Sequence, residues 1–341
     1  MSTDFLLQSR AQAGDPAAQI VLAETYESES RYDLARGWFA RAAQAGSLEG
    51  LRRLAISLLT VKPLAIPDGI GMIRQAAERG DPEATHLCAV LAAQDQRLPS
   101  NLDIAHDYLL RAAQLGYPLA LEQLPLLVRD GALNLAAQLA HPPLETVYDA
   151  PRIQIARGFA SAAECDRLIA RARRRLTPTL VFGDDGAGIR LEKQRDNTEA
   201  SFNIAQSDVA LEMLRERIAR ATGFATADME PATVMHYQTG QRFAPHFDFL
   251  DPEHPALRDD IAQNGQRMAT FLLYLDDGLG GGETVFVDLG WGFRGGKGDA
   301  LIFYNTDETG VPDQRTRHAG VPPTAGEKWL LSQWLRRRLP A

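Results

Sequence analysis

The sequence predicts an α+β multidomain protein in which an N-terminal α-helical repeat solenoid precedes a C-terminal double-stranded β-helix, or jelly roll, with flanking helices. Three observations support this prediction. A short Ala-rich motif that ends in Gly recurs at intervals of about 32 to 36 residues in the first third of the chain. Three prolines then interrupt the helical periodicity between residues 139 and 151. From Thr233 onward, short β-branched and aromatic runs alternate with Gly and Pro.

The recurring motif indicates pairs of packed helices. Each motif glycine stands where a helix would end in a left-handed residue, and Asp15 and Asp81, each followed by a proline, would cap the next helix. The pattern resembles Sel1-like repeats, relatives of tetratricopeptide repeats, with about three units and a degenerate fourth. We therefore predict repeats over residues 1–135 and a linker over residues 136–151. The motifs are Ala11–Gly14, Ala42–Gly46, Ala76–Gly80 and Ala112–Gly116.

Two roles for the repeats are open from the sequence. Stacked helical repeats commonly present a concave surface to another protein or peptide, so this region is a candidate recruiting arm for a protein substrate. Alternatively, the stack only stabilises the domain that follows it. His86 and His106 have no carboxylate or second histidine at metal-ligand spacing, and we interpret both as packing or surface residues.

The composition argues against several functional classes. A net charge of −8 does not suit a general nucleic-acid-binding surface, and no apolar run reaches the length of a membrane span. The first residues lack the basic segment and long apolar core of a signal peptide. Cys88 and Cys165 fall in separate helical patterns, so we expect free buried thiols and a cytoplasmic protein.

Three residues in the last third of the chain predict a mononuclear iron site. His246 and Asp248 are two positions apart, and side chains at this spacing point to the same side of an extended strand. His318 would have to reach the same ion from a distant strand. Two imidazoles and one carboxylate on one face of a metal form the facial triad of non-haem Fe(II) oxygenases.

Two further residues are suited to an anion beside this metal. Lys328 follows His318 by ten residues, so that its ammonium group could hold the far carboxylate of a dicarboxylic co-substrate. Tyr237 precedes His246 by nine residues and could add a hydroxyl group to the same anion. We predict that both residues bind the co-substrate.

Six segments in this region resemble the catalytic domain of the prolyl 4-hydroxylase family, in the family's order and at nearly its spacing. Residues 159–169 also resemble the helix that opens this domain. The agreement of ligands, anion-binding lysine and Gly-rich turns makes the resemblance specific over roughly the last 190 residues. The six segments are Tyr237–Gly240, Pro245–Phe249, Gly265–Leu275, Gly281–Phe286, Lys297–Asn305 and His318–Pro322.

The resemblance implies an Fe(II)- and 2-oxoglutarate-dependent dioxygenase domain over residues 152–341, with its jelly-roll core at about 230–341. It implies that the triad binds Fe(II), that the lysine and tyrosine bind 2-oxoglutarate, and that O2 is consumed while succinate and CO2 are released. Because related halogenases replace the carboxylate with a small residue, Asp248 favours hydroxylation. Whether L-ascorbate is also needed is open.

The resemblance also places substrate-binding residues. Arg267 and Trp334 stand at family peptide-binding positions, and both would line the mouth of the site. Phe243 stands where several peptide-binding members have tyrosine, so one hydrogen bond to a peptide would be missing. The loop Phe182–Gly188 corresponds to one that often closes over substrate in this family and is a candidate lid.

Three functions follow as hypotheses. The leading one is hydroxylation of a prolyl residue in a protein or peptide. The second is the same chemistry on a free amino acid or another small metabolite. The third is a non-catalytic interaction protein, against which the intact set of ligands argues. A nucleic-acid demethylase is disfavoured by the anion-binding Lys328, since those enzymes resemble a pattern with paired arginines after the last histidine.

Overall fold

The computed structural model describes residues 3–94, 100–129, 132–179, 181–182, 189–190, 195–277 and 280–338. The chain divides into two compact units. The helical unit comprises Met1–Asn134 and Asn203–Glu212, and the β unit comprises Leu135–Phe202 and Met213–Ala341.

The helical unit contains eight helices among its described residues, which confirms the predicted α-helical repeat region. Adjacent helices pack in sequence order around small buried residues, with Phe39 fully buried in one of the clusters. A two-stranded ladder, β1 (Val128–Arg129) with β2 (Ala132–Leu133), follows the last helix. The helices are α1 (Thr3–Gln12), α2 (Pro16–Ser28), α3 (Tyr32–Gln44), α4 (Leu48–Thr60), α5 (Ile66–Glu78), α6 (Pro82–Gln94), α7 (Ser100–Gln114) and α8 (Pro118–Leu127).

The motif glycines end alternate helices as the sequence predicts. All four adopt left-handed φ angles between 81° and 96°, and the next residue donates its N–H to the carbonyl five positions back. This is the Schellman arrangement, which a side chain at the glycine position would strain. Asp15 and Asp81 each cap the following helix with a carboxylate oxygen. Local sequence therefore dictates where these helices end and begin.

The β unit is built on two antiparallel sheets, which confirms the jelly-roll prediction. Its elements, of which α11 begins among residues of the helical unit, are α9 (Leu135–Leu139), β3 (Glu145–Asp149), β4 (Arg152–Ala156), α10 (Ala162–Arg173), β5 (Thr177–Pro178), β6 (Val181–Phe182), β7 (Ile189–Arg190), β8 (Thr198–Phe202), α11 (Val209–Thr222), β9 (Ala232–Tyr237), β10 (Phe243–His246), α12 (Pro255–Asn264), β11 (Gln266–Tyr274), β12 (Gly280–Gly281), β13 (Thr284–Phe286), β14 (Trp291–Phe293), β15 (Ala300–Tyr304), β16 (His318–Gly320), β17 (Pro323–Ala325) and β18 (Lys328–Arg337).

The larger sheet has the order β3-β4-β15-β11-β18-β9-β8-β5, and the smaller one has the order β10-β16-β13-β14. The hydrophobic core includes buried side chains of both sheets. Phe286 of the smaller sheet meets Phe303 of the larger one edge-to-face, with ring centroids 5.1 Å apart.

Two segments that precede residue 230 differ in part from the sequence prediction. The capping box of Ser161 and Glu164 is present, and α10 begins directly after Ser161 but ends three residues before the expected Leu176. The segment predicted as a linker contains α9 and β3, and β3 pairs with β4. The candidate lid lies outside the described residues beyond Phe182. No helix in the described part of the chain is long and apolar enough to cross a membrane.

Candidate active site

The two predicted histidine ligands lie side by side on neighbouring strands. His246 ends β10, His318 opens β16, and the two residues are cross-strand partners with ring centroids 4.2 Å apart. Asp248 follows β10 by two residues, with its carboxylate oxygens 3.6 Å from His246 Nε2 and 3.7 Å from His318 Nε2. One ligand atom from each residue lies within 4.8 Å of the other two, so the three side chains fit a single small cation.

Backbone carbonyls set the orientation of both imidazoles. His246 Nδ1 lies 2.9 Å from the Ala244 oxygen, and His318 Nδ1 lies 3.0 Å from the Thr316 oxygen. Since a carbonyl only accepts hydrogen bonds, Nδ1 carries the proton in each ring. The lone pair of each Nε2 therefore faces the shared centre, which is the tautomer that a metal needs.

The protonation states of His318 and Asp248 also suit a divalent cation. Burial lowers the pKa of His318 to about 4, with a further contribution from His246, so this ring is neutral at physiological pH. Burial alone would raise the pKa of Asp248, but His318, His246 and the Thr270 hydroxyl together hold it well below its usual range. Neutral imidazoles and an ionised carboxylate are the forms that bind metal.

Lys328 and Tyr237 form a cross-strand pair where two neighbouring central strands of the larger sheet meet at their ends. Lys328 opens β18 and pairs with Tyr237 at the end of β9. Both side chains are buried, at 1% and 3% exposure. The Lys328 Nζ lies 5.5 Å from the Tyr237 ring centroid, and the side chain has no hydrogen bond or ion pair with the residues that the structure describes. Burial lowers the pKa of Lys328 to about 7.

This lysine is a buried cationic group that forms no ion pair with a described residue. An unpaired buried charge is costly, so a site of this kind favours a negatively charged ligand over water. Within the described part of the chain, the Tyr237 hydroxyl donates only to Met235 Sδ, at 3.6 Å, and a thioether is a weak acceptor. The hydroxyl is therefore available to a stronger acceptor such as a carboxylate.

One cavity joins the triad to the lysine. His246, Asp248, His318, Lys328 and Tyr237 all line it, and the structure thus brings together the five residues that the sequence singled out for metal and co-substrate. The remaining lining residues are largely apolar or small, which limits the water that can reach the metal position. They are Met235, Phe243, Leu272, Thr284, Gly320, Leu330 and Ser332.

The three residues predicted to contact the substrate lie in two separate places. Phe243 lines the cavity, and its ring stacks on His246 with centroids 3.4 Å apart. The Arg195 guanidinium lies 4.5 Å from the Phe243 ring centroid, so Phe243 packs against both groups. This aromatic side chain therefore supports a ligand of the predicted metal.

Arg267 and Trp334 form a separate cluster and are absent from the cavity lining. The Arg267 guanidinium lies 4.0 Å from the Trp334 ring centroid and makes a bidentate ion pair with Glu230, at 2.6 and 2.9 Å. Trp334 lies on the same face of β18 as Lys328, because residues at even spacing share a face. The cluster thus continues the site-facing side of this strand.

Several residues of the site escaped the sequence reasoning. Arg195 and Glu230 lie outside the segments that carried the resemblance, and their roles depend on long-range contacts. Thr270 donates to Asp248 and in turn accepts from Asn305. Both residues lie inside segments that the sequence singled out, but neither residue type predicts a metal site. Alternation along a strand would have pointed to Met235 and Ser332.

Comparison with known proteins decides the family. Residues 232–336 match the family model described as the 2OG-Fe(II) oxygenase superfamily. The chain is 31% identical over 211 residues to the probable prolyl 4-hydroxylase 9 of Arabidopsis thaliana, covering 57% of this chain and 72% of the relative. The chain belongs to the prolyl 4-hydroxylase family. As a member of that family it is an Fe(II)- and 2-oxoglutarate-dependent dioxygenase that consumes O2.

Two solved structures are also similar to parts of the chain. The viral collagen prolyl hydroxylase from Paramecium Bursaria Chlorella virus-1, in complex with 2OG, is 27% identical with a TM-score of 0.42, covering 54% of this chain and 95% of that one. A Sel1 repeat protein from Oxalobacter formigenes is 21% identical with a TM-score of 0.32, covering 36% of this chain and 98% of that one.

Proposed function

We propose that the chain hydroxylates a prolyl residue of a protein or peptide, using Fe(II) bound by His246, Asp248 and His318 and 2-oxoglutarate held by Lys328 and Tyr237. The observation that carries this proposal is the shared cavity, in which a metal-type triad faces a buried lysine that makes no hydrogen bond or ion pair with a described residue. When bound, Fe(II) supplies the redox chemistry that couples O2 and 2-oxoglutarate to hydroxylation of an unactivated C–H, with release of succinate and CO2.

The protein's own contribution is positioning. The two Nε2 lone pairs and the Asp248 carboxylate would hold Fe(II), which would bind co-substrate and O2 at its remaining positions. The Lys328 ammonium and the Tyr237 hydroxyl would bind the far carboxylate of 2-oxoglutarate and so orient the co-substrate in the cavity. The apolar lining keeps water away from the reacting atoms.

Two observations support a peptidyl proline as the substrate. Relatives whose names specify prolyl hydroxylation share the catalytic segment with this chain. The stacked Arg267 and Trp334 provide a rigid flat surface further along β18, of the kind that packs against a proline-containing chain. Against a peptide stand the missing hydroxyl at Phe243 and the engagement of Arg267 by Glu230. These two facts keep a free amino acid as the second candidate.

The wider setting belongs to the same proposal. We place the repeats of residues 1–135 as the part that recruits a protein substrate, and the protein itself in the cytoplasm. The two free, buried cysteines are consistent with a reducing compartment. We also propose that L-ascorbate sustains turnover by returning oxidised iron to Fe(II).

Succinate formation by the full chain tests the proposed function. The protein is supplied with Fe(II), 2-oxoglutarate and ascorbate, with and without Pro-containing peptides or free proline. Stimulation of turnover by a peptide is the expected result. Stimulation by free proline alone would move the substrate to small metabolites. Absence of turnover in a protein that binds iron would contradict the enzyme assignment.

Substitution of the triad tests the metal ligands. We expect Asp248→Ala and His246→Ala to abolish both Fe(II) binding and turnover, because each removes one of three ligands. Circular dichroism checks that the variants remain folded. His254→Ala, a change at an exposed histidine that precedes α12, is the matched control and should leave both properties intact. Full activity of either triad variant would refute the site.

A further inference from the structure

A buried chain of hydrogen bonds leads from Asn305 to the Asp248 carboxylate. Asn305 Nδ2 donates to Thr270 Oγ1 at 3.0 Å, and Thr270 Oγ1 donates to Asp248 Oδ2 at 2.7 Å. Thr270 and Asn305 are fully buried, and Asp248 is nearly so. We propose that Thr270 and Asn305 are positioning residues that fix the Asp248 carboxylate for metal binding, an inference that rests on the proposed metal site.

The direction of this chain follows from hydrogen-bond chemistry. An ionised carboxylate only accepts hydrogen bonds, so the single hydrogen of the Thr270 hydroxyl must point at Asp248. The hydroxyl oxygen can then only accept from Asn305, which places the amide nitrogen, and not the amide oxygen, toward Thr270. The arrangement therefore delivers one donor to a defined oxygen of the proposed ligand.

The two residues come from adjacent strands of the larger sheet, while the carboxylate follows a strand of the smaller one. Thr270 lies in the middle of β11, and Asn305 directly follows its neighbour β15. The Asn305 N–H donates to the Met268 carbonyl at 2.8 Å, and its own carbonyl accepts from the Asp313 N–H at 2.9 Å. The main chain thus holds the amide in place. The series of hydrogen bonds from Asn305 through Thr270 to Asp248, called the relay below, connects the two sheets beside the metal position.

Fold stability alone does not account for an asparagine at this position. Asn305 Oδ1 is buried and has no hydrogen-bond partner among the described residues, which disfavours the folded state. A leucine of similar size would avoid this penalty. Asparagine, unlike leucine, provides an N–H donor that hydrogen-bonds to the Thr270 hydroxyl oxygen.

The relay restrains how Asp248 can present itself to an ion. A carboxylate that rotates freely samples several orientations, and a donor fixed on Oδ2 favours one of them. The histidine rings are oriented by hydrogen bonds that they donate to backbone carbonyls, whereas the hydrogen bond to Asp248 Oδ2 comes from the side chain of Thr270. The relay thus helps to orient Asp248.

Metal affinity, measured without turnover, tests the inference on the full chain. Co(II) is titrated into the metal-free protein and followed by its visible absorption. We expect Thr270→Val to bind Co(II) about 10–100-fold more weakly, the effect typical of lost outer-shell contacts. Thr270→Ser keeps the hydroxyl and should restore affinity and spectrum. Asn305→Leu should also weaken binding, while its metal-free unfolding midpoint stays equal to or above that of the wild type.

Two controls make the outcome decisive. Thr233→Val removes another buried hydroxyl of the larger sheet, one that bonds to Ser201, and should leave Co(II) affinity unchanged. Asp248→Ala should lose Co(II) binding. Wild-type Co(II) affinity in Thr270→Val, or equally weakened binding in Thr270→Val and Thr270→Ser, would overturn the positioning role. Loss of Co(II) binding in Asp248→Ala would at the same time support the metal site. Wild-type binding by Asp248→Ala would instead refute the proposed site itself.

Discussion

At the scale of single residues, the Lys328 ammonium is a buried charge that lowers the stability of the β unit. It is buried, its Nζ faces aromatic rings, and it forms no ion pair with a described residue, although the Glu283 carboxylate acts on it from beyond ion-pair distance. A charge in this position destabilises the protein until a ligand arrives. We therefore regard Lys328 as a residue retained for binding at the expense of stability, which leads to two separable predictions.

The first prediction concerns pH. Burial holds the pKa of Lys328 near 7 in the folded protein, whereas an unfolded lysine titrates near about 10.4. Between these values the unfolded chain binds a proton that the folded chain lacks, so this group makes the free energy of unfolding rise with pH. We expect wild type to gain stability relative to Lys328→Met from pH 7 to 10, by at most about 1.4 kcal/mol per pH unit.

Denaturant unfolding of the metal-free protein at several pH values measures this difference. Comparison with Lys328→Met isolates the lysine, because the tyrosine and cysteine residues titrate in both proteins alike. At pH 7 the variant should be the more stable of the two. A difference that does not change with pH would contradict the inference that the lysine is buried and unpaired.

The second prediction concerns co-substrate. Loss of a charge-assisted contact in Lys328→Met should raise the KM for 2-oxoglutarate about 10- to 100-fold and leave Fe(II) affinity unchanged. Lys297→Met, which removes a lysine that pairs with Asp166 elsewhere in the β unit, should leave both quantities unchanged. Steady-state kinetics measures the KM for 2-oxoglutarate, and an anaerobic titration measures the affinity for Fe(II). An equal rise of this KM in Lys328→Met and Lys297→Met would argue for a nonspecific charge effect.

At the scale of elements, tight turns hold the strands in register. Gly298 precedes β15 with φ of 89°, its N–H donates to the Tyr274 carbonyl, and its carbonyl accepts from the Ala160 N–H. A Cβ at Gly298 would lie 2.2 Å from the Ala160 oxygen, a backbone atom that cannot easily move. This turn therefore requires glycine both for its conformation and for the space around it.

A pair of glycine substitutions separates these two requirements. Gly223, which follows α11, has φ of 77° and no neighbour within 4 Å of an added Cβ. We expect Gly223→Ala to cost only conformational strain, about 1–2 kcal/mol. Gly298→Ala should cost several kcal/mol more, because strain is joined by a clash with backbone. Unfolding midpoints in denaturant measure the stability of both variants. Equal losses of stability would show that the backbone near Ala160 moves to accommodate the added Cβ at little energetic cost.

At the scale of the whole molecule, the two cysteines report on packing in both units. Cys88 lies in α6 and Cys165 in α10, and both are free and buried. Burial raises the pKa of the Cys88 thiol to about 11 and that of the Cys165 thiol to about 12. Because the thiolate is the reactive form, neither residue should react readily in the folded protein.

A thiol titration with an aromatic disulfide reagent checks this expectation. The native protein should react slowly with fewer than one thiol per chain, while the denatured protein should release both. Addition of a reductant should leave the thermal midpoint unchanged. Rapid modification of the native protein would show that one of the two units opens easily, and fewer than two thiols after denaturation would indicate a disulfide.

Local sequence determined much of this protein. The motif glycines and the capping aspartates predicted the helix ends of the repeats, because those conformations depend on a few neighbouring residues. The spacing of His246 and Asp248 predicted that the two ligands lie close together, although Asp248 lies beyond the end of β10 and not within the strand as expected. Alternating runs from Thr233 onward predicted the jelly roll.

Tertiary structure decided which distant residues meet. The pairing of His246 with His318, the pairing of Tyr237 with Lys328, and the relay from Asn305 to Asp248 all depend on strand register. Register is set by long-range backbone hydrogen bonds and by packing between two sheets, neither of which a local pattern records. The same reason hid β3 within the predicted linker, since its five residues form a strand only because β4 lies beside them.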